Sequence, residues 1–138
     1  MRSLALPLLL LATAASAQSP LRMEADGPPP AGPTLAVHVR ADGVALVDGS
    51  VADSAAVAGA VRKHARAHPD GATAFSTSRC TPFAVYVRVL DTVKAAYTAE
   101  RDAYAVRVFG APYAALDEAG RRAVAKAVPL RVSLEEPR

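Results

Sequence analysis

The sequence has little sulfur and few aromatic side chains. It contains one cysteine, Cys80, no tryptophan, four tyrosines and three phenylalanines. A single cysteine excludes a disulfide bond within the chain, so its thiol is either free or bonded to another molecule. We expect a free, semi-buried thiol that packs as a small hydrophobic group. Because alanine and valine are abundant where aromatic residues are scarce, we also expect an aliphatic core.

The sequence also lacks the motifs that mark common active sites. No G-x-S-x-G elbow, G-x-G-x-x-G loop or G-K-[ST] loop occurs in it. His64 and His68 are spaced to present two ligands on one helical face, which is too few for a metal site, and His38 lies in an alternating segment where a surface position is expected. We therefore expect no catalytic residue, no metal ion and no cofactor, and predict that the protein is not an enzyme. The alternative is an enzyme whose site the sequence does not reveal.

The first 17 residues, MRSLALPLLLLATAASA, have the pattern of a cleavable secretory signal peptide. Arg2 precedes an apolar run, and Ala15-Ser16-Ala17 forms a small-x-small cleavage site. A membrane-spanning helix needs about 20 apolar residues, whereas this run has roughly 11. We expect cleavage before Gln18 and export to the periplasm; retention of the segment as a membrane anchor is the alternative.

The charge of the chain is small and evenly distributed. The formal net charge is +3 at pH 7, or +2 once the single charge of Arg2 is removed with the signal peptide. Acidic and basic residues alternate along the chain, which is typical of an ordinary solvated surface. A balance this weakly basic does not indicate a nucleic-acid partner.

An ordered domain is expected to begin after a tether. Residues 18–33 are rich in proline and glycine and predict an extended segment. Alternating apolar residues at 34–40, TLAVHVR, predict a strand. An A-D-G turn with Gly43 at a positive φ then leads to a short antiparallel strand at 44–47, which ends at an Asp-Gly pair.

A helix is predicted over residues 54–67, with Asp53 or Ser54 as its cap. Its apolar stripe at i, i+4 and i+8 consists of Val57, Val61 and Ala65. Its cations, which fall largely on the other side, are Arg62, Lys63 and Arg66. A strand follows at residues 72–76, ATAFS.

A second helix is predicted from Thr81, as a cap, and Pro82, in the first turn, to about Tyr97. Its apolar face is expected to contain Val85, Tyr86, Val89, Leu90 and Val93. Its polar side is expected to carry Arg88, Asp91 and Lys94.

The last third of the chain is predicted to contain a polar loop at 98–102, a strand at 104–109, a helix at 113–127 and a strand at 130–134. The predicted order is β-β-α-β-α-β with an added α-β unit. Strand–helix–strand crossovers imply parallel pairing, so we predict an α/β (α+β) domain in which two helices pack on a small mixed sheet.

Three stretches of the sequence resemble the periplasmic region of the ExbD/TolR family, whose members are subunits of proton-driven motors of the cell envelope. PLRMEADGPPPAGP is similar to the family's tether, and TLAVHVRADGVALVDGSVAD is similar to its opening hairpin. AFSTSRCTPFAVYVRVLDTVKAA is similar to a strand–loop–helix that reads I-x-A-D-x-x-x-P-Y, V-V-x-V-M-D and K-x-A. The positions that match are Pro82, Phe83, Val87, Val89, Leu90, Asp91, Lys94 and Ala96. The likeness covers residues 20–109, about two-thirds of the chain.

The resemblance implies a domain over residues 34–110, with residues 111–138 as a C-terminal extension of the same domain. It implies a non-enzymatic binding or assembly module for biopolymer transport, with Arg79, Pro82 and Phe83 as partner-binding residues. The partners that it implies are a second copy of the chain, envelope proteins of the TonB/TolA kind, or peptidoglycan.

Two departures separate this sequence from the family. Family members keep an N-terminal membrane helix with an aspartate for proton flow, whereas this sequence has a signal-like segment and no acidic residue before Glu24. If the segment is cleaved, the chain is not the proton-conducting subunit. The loop before Pro82 also has Ser78, Arg79 and Cys80 where the family usually carries an acid, so a contact made by that acid is not carried over.

Overall fold

A computed structural model of the chain describes residues 31–138. The expected signal peptide at 1–17 and most of the expected tether at 18–33 lie outside the described residues. The strands are β1 (Thr34–Val39), β2 (Ala45–Val47), β3 (Ser50–Ala52), β4 (Ala72–Thr77) and β5 (Val132–Leu134). The α-helices are α1 (Ser54–Ala67), α2 (Phe83–Phe109) and α3 (Glu118–Ala127), and a 3₁₀ turn spans Tyr113–Ala115.

The strands form one mixed five-stranded sheet in the order β3-β2-β1-β4-β5. β1–β2 and β2–β3 are antiparallel, whereas β4 pairs in parallel with both β1 and β5. Both parallel crossovers proceed in the same direction across the sheet, and such connections share one hand, so their helices lie on the same face. The predicted fold class, a small mixed sheet with helices packed on it, is confirmed.

The core lies between the sheet and the helices α1 and α2. The predicted stripe of α1 (Val57, Val61 and Ala65) is buried, as are Val89 and Val93 of α2. They pack against side chains of β1 and against Phe75 of β4. Most of the cluster is valine and alanine, which confirms the aliphatic core, and each buried side chain of valine size stabilises the fold by about 1.5–3 kcal/mol.

Residues 34–67 fold locally much as their sequence predicts. Asp53 caps α1, because its Oδ1 accepts a hydrogen bond from the Ala56 N–H at 2.7 Å. Gly43 has the predicted positive φ, 84°. Asp48 and Gly49, with φ of 47° and 85°, make the tight turn of a hairpin. The strand β3 beyond this turn was not predicted, because three residues are too few to show an alternating pattern.

The prediction for residues 98–109 is wrong. α2 runs without a break through the expected loop at 98–102 and the expected strand at 104–109, since no glycine or proline interrupts the sequence before Gly110. Gly110 ends the helix in the left-handed conformation, φ 72°, and Pro112 follows. Y-A-V-R-V-F alternates like a strand, but the chain around it is a strong helix former and Ala105 is buried on the helix. The observed order is therefore β-β-β-α-β-α-α-β.

The start of α2 and the C-terminal extension also differ from expectation. Thr81 does not cap α2; Pro82 occupies the N-cap position, and the Thr81 hydroxyl donates to the Val39 carbonyl at 3.1 Å. The helix expected at 113–127 begins only at Glu118, because Asp117 accepts from the Gly120 N–H at 2.7 Å and starts a new helix there.

The extension packs on the second half of α2. Arg101 Nε donates to the Val128 carbonyl at 2.9 Å. The Tyr97 hydroxyl donates to the Arg131 carbonyl at 3.1 Å and lies 3.0 Å from Thr73 Oγ1. Burial raises the pKa of the Tyr97 phenol, so this group stays protonated and keeps its donor.

Three further expectations concern single features. Cys80 is free but exposed rather than semi-buried, because it lies in the loop between β4 and α2. Within residues 31–138, no group of three His, Cys, Asp or Glu side chains could hold a metal ion. No helix in the same range is long and apolar enough to cross a membrane.

Candidate functional site

The candidate site is a cleft at the carboxyl ends of the parallel strands. β1, β4 and β5 run in parallel and end at the same edge of the sheet, where ligands of open α/β sheets usually bind. A cleft of about 420 Å³ lies there, between the start of α2 and the last residues of the chain. Its lining consists of Phe75, Ser76, Thr77, Ser78, Arg79, Thr81, Phe83, Tyr86, Leu134, Glu135 and Pro137. We call it the Phe83 cleft.

Backbone hydrogen bonds fix the loop that carries the expected site residues. The Ser78 N–H donates to the Val39 carbonyl at 2.8 Å, and the Thr81 N–H donates back to the Ser78 carbonyl at 3.0 Å. The Thr81 hydroxyl also contacts the carbonyl of Arg40, at 3.3 Å. Because these hydrogen bonds hold the loop against the end of β1, the backbone of Arg79 has a defined position.

Three aromatic rings form a ladder from the core to the surface of the cleft. Phe75 is 1% exposed, and its ring centroid lies 5.5 Å from that of Tyr86 in an edge-to-face arrangement. The Tyr86 ring lies 6.0 Å from that of Phe83, with only 20° between their planes. Phe83 itself is 77% exposed. An exposed ring is thus held in place by a ring that is anchored in the core.

The C-terminal segment, residues 135–138, forms the opposite wall of the cleft. The Glu135 N–H donates to the Phe75 carbonyl and the Arg138 N–H to the Thr77 carbonyl, both at 2.9 Å. The Arg79 N–H donates in turn to the Arg138 carbonyl at 3.0 Å. The segment therefore continues the pairing of β5 along the edge of β4. β5 and this segment together cover the outer edge of β4.

The uncovered face of the sheet brings one histidine between two serines. His38 pairs with Ser76 in the register of β1 and β4, and its Nδ1 lies 2.9 Å from the Ser76 hydroxyl. Its Nε2 lies 3.3 Å from the Ser78 hydroxyl. His38 is half-buried there rather than fully at the surface. Ser76 stands where a catalytic triad would have a carboxylate, so the arrangement does not match that machinery.

Two of the three expected partner-binding residues, Arg79 and Phe83, line the cleft, and Pro82 lies between them at the N-cap position of α2. Tyr86 was predicted only as part of the apolar face of the helix, and Leu134 and Glu135 were not predicted to belong to the site. The i, i+3 spacing of Phe83 and Tyr86 was the one available signal, because it places two rings on one helical face.

The chemistry of the cleft suits an apolar group with an acidic neighbour. Phe83 and Leu134 offer exposed apolar surface. Arg79 is exposed beside the start of α2, where the helix dipole favours negative charge. Glu135 is occupied by an ion pair with Arg138 at 2.9 Å. No protein-family model matches the chain, and no curated protein matches it either.

Proposed function

We propose that the protein is an exported, non-enzymatic binding or assembly module of the cell envelope, which works in the periplasm and captures a partner protein in the Phe83 cleft. The observation that carries this proposal is the exposed Phe83 ring, held by Tyr86 and Phe75. The resemblance to the ExbD/TolR family supports the same class of function.

The energetics of the ladder explain why it suits binding. Aromatic residues that are already fixed before association lose little conformational entropy when a partner covers them, and they dominate the binding energy of many interfaces. Phe83 contributes little to its own fold because most of its ring is in water. Its position is therefore better explained by a partner than by folding.

The partner that fits best is a segment of an envelope protein of the TonB/TolA kind with an apolar residue beside an acidic one. Phe83 and Leu134 would receive the apolar side chain, and Arg79 would pair with the acid. Peptidoglycan is the other partner that the resemblance implies, but it offers no large apolar group for the Phe83 ring.

Binding of labelled periplasmic fragments of such proteins, measured by fluorescence anisotropy, tests the proposal. Phe83→Ala is expected to weaken binding about 30-fold, equivalent to about 2 kcal/mol. Phe109→Ala is the matched control, because Phe109 is an exposed phenylalanine at the other end of the same helix. Equal affinities of the two variants would contradict the proposed site. Co-sedimentation with peptidoglycan that is unaffected by Phe83→Ala would favour the other partner.

Export is tested separately. We expect mature protein in the periplasmic fraction with Gln18 as its first residue, as mass spectrometry would show. Recovery of residues 1–17 in the membrane fraction would instead support the alternative, a membrane-anchored subunit of a transport motor.

Self-association is the third part of the proposal. Among the described residues, no strand pairs with the outer edges of β3 and β5, and open edges invite pairing between chains. We expect a homodimer, although β5 already covers the longer strand β4. Sedimentation of fragments 18–138 and 34–138 tests this expectation. If only the longer fragment dimerises, the tether is the exchanged element; if both stay monomeric at high micromolar concentration, a homodimer is excluded.

A further inference from the structure

A second concave surface lies on α1. It has a volume of about 470 Å³ and is lined by Gly59, Arg62, Lys63, Arg66 and Ala67. Gly59 is near the middle of α1, and the other four residues are in its C-terminal half, which ends just before β4 begins. The surface is therefore near the amino end of β4, whereas the Phe83 cleft is at its carboxyl end. We call it the arginine groove.

A buried carboxylate organises the groove from beneath. Glu100 of α2 is 1% exposed and accepts two hydrogen bonds from Arg66, from Nε to Oε1 and from Nη2 to Oε2, both at 2.9 Å. Arg62 Nε lies 3.6 Å from Glu100 Oε2. The hydrogen bonds from Arg66 hold the pKa of Glu100 below its usual value, so the carboxylate is ionised at neutral pH. The groove thus carries three cations, Arg62, Lys63 and Arg66, and Glu100 balances one of their charges, so two positive charges remain.

Two N–H donors of the groove make no hydrogen bond within residues 31–138. Arg62 Nε is buried and has no hydrogen-bond acceptor within the part of the chain that the structure describes. Arg66 uses Nε and Nη2 for Glu100, which fixes its guanidinium group and leaves Nη1 without a hydrogen bond to residues 31–138. A buried N–H without an acceptor is costly and rare in folded proteins, so it requires an explanation.

Gly59 is an independent observation at the same place. It lies inside α1, where glycine destabilises a helix relative to alanine. A Cβ atom at this position would meet nothing within 4 Å, so packing within the described chain does not require glycine. The missing side chain instead leaves the helix backbone open to close approach at the end of the groove.

We propose that the arginine groove binds a phosphate-type oxyanion, either free phosphate or a phosphoryl group of a lipid headgroup. A phosphate dianion neutralises both uncompensated charges and a lipid phosphodiester neutralises one, and the tetrahedral oxygens of either can accept from Lys63, Arg62 and Arg66 at once. A lone carboxylate fits less well, because it is best bound by an arginine fork, and the fork of Arg66 is already used by Glu100.

Cations in the last turns of α1 also offset the negative end of the helix dipole. That role would be enough to explain the positive charge at the end of α1. The buried Nε of Arg62 already faces Glu100, at 3.6 Å. The helix dipole does not explain the glycine at position 59, whereas a bound anion does, because the bare helix backbone leaves room for it.

Isothermal titration calorimetry of the full chain with inorganic phosphate, against chloride at the same ionic strength, tests the proposal. Lys63→Ala removes an exposed cation that does not contact Glu100 and is expected to weaken phosphate binding about tenfold. Gly59→Leu fills the groove with a good helix former and is expected to reduce binding by at least as much. Lys94→Ala, an exposed lysine of α2, is the matched control and is expected to bind like the wild type.

Three results would overturn the proposal. These are phosphate binding no tighter than chloride binding, equal weakening by Lys63→Ala and Lys94→Ala, and wild-type affinity in both groove variants. If Gly59→Leu does not fold, Lys63→Ala with its control decides. Vesicles of phosphatidylglycerol and of phosphatidylcholine identify the source: retention on phosphatidylglycerol alone that Lys63→Ala abolishes supports a lipid phosphoryl group. Phosphate binding without such retention supports a soluble ligand.

Discussion

Two regions of α2 place their side chains in opposite environments. At its start, the apolar ring of Phe83 is in water and rests on Tyr86; two-thirds of the way along, the charged side chain of Glu100 is buried and rests on Arg66. An exposed ring costs the fold little and can be spared for a partner. A buried carboxylate must be paired within the protein, because an unpaired charge in the interior is strongly destabilising. We therefore expect substitutions at Phe83 to change partner binding and substitutions at Glu100 or its partners to change the stability of the fold.

The largest expected effect divides the aromatic ladder itself. Phe75→Ala should lower the free energy of unfolding by about 3–5 kcal/mol, because it opens a cavity in the core. Phe83→Ala should lower it by less than about 0.5 kcal/mol, because that ring is mostly in water. Urea denaturation measures both. Similar losses for the two variants would show that Phe83 is part of the core and not a surface anchor.

The next effect concerns the ion pairs of Glu100. Arg66→Ala should lower the free energy of unfolding, because it removes both hydrogen bonds to the buried Glu100 carboxylate. The loss is smaller than for a fully buried pair, because the Arg66 side chain is 58% exposed and Arg62 lies close enough to replace part of the pairing. Lys63→Ala on the same helix should change it by less than about 0.5 kcal/mol. The prediction is wrong if thermal and urea melts rank the two variants equally.

Leu90 and Arg88 lie on α2 between Phe83 and Glu100 and provide a reference for the size of the stability changes. Leu90 packs against the core but is only partly buried, so Leu90→Ala should cost about 2 kcal/mol, the low end for such a change. Arg88, two residues earlier, is exposed, and Arg88→Ala should cost well under about 1 kcal/mol. Equal midpoints in urea would mean that the faces of the helix are assigned incorrectly.

The smallest effect is a dependence on pH that belongs to Glu100. Its pKa in the folded protein is lowered from 4.5, chiefly by the hydrogen bonds from Arg66 and also by Arg62 and Arg107. The stabilisation is therefore complete above the pKa of the unfolded chain and is lost as pH falls through the lower folded pKa. Urea melts below pH 5 should show a weaker acid dependence for Glu100→Gln than for the wild type.

Glu118→Gln is the control for the acid series, because its carboxylate is 80% exposed. It should keep the acid dependence of the wild type. If Glu118→Gln flattens the profile as much as Glu100→Gln does, the buried pair is not the cause of the acid sensitivity.

Local features of this fold could be predicted because nearby residues decide them. Asp53 caps α1, Gly43 and Gly49 take positive φ in their turns, and Val57 and Val61 share a face because of helical spacing alone. Part of the candidate site, Arg79 and Phe83, was expected from the family resemblance and not from a local pattern. The wall that the C-terminal segment adds was not expected, because its partner in β4 is some 60 residues away along the chain.

The fold class, the ends of α1 and the aliphatic core could be predicted from the residues alone, since they follow from patterns that repeat within a few residues. The state of residues 104–109 could not be predicted in this way, because Y-A-V-R-V-F fits both a strand and a helix pattern, and it is the structure that shows Ala105 buried on the continuous helix α2. The burial of Glu100 also depends on the tertiary structure. This residue lies in a segment that was expected to be a polar loop, and it pairs with two arginines more than 30 residues away. Pairings over such distances depend on how the helices cross, and no local pattern encodes that geometry.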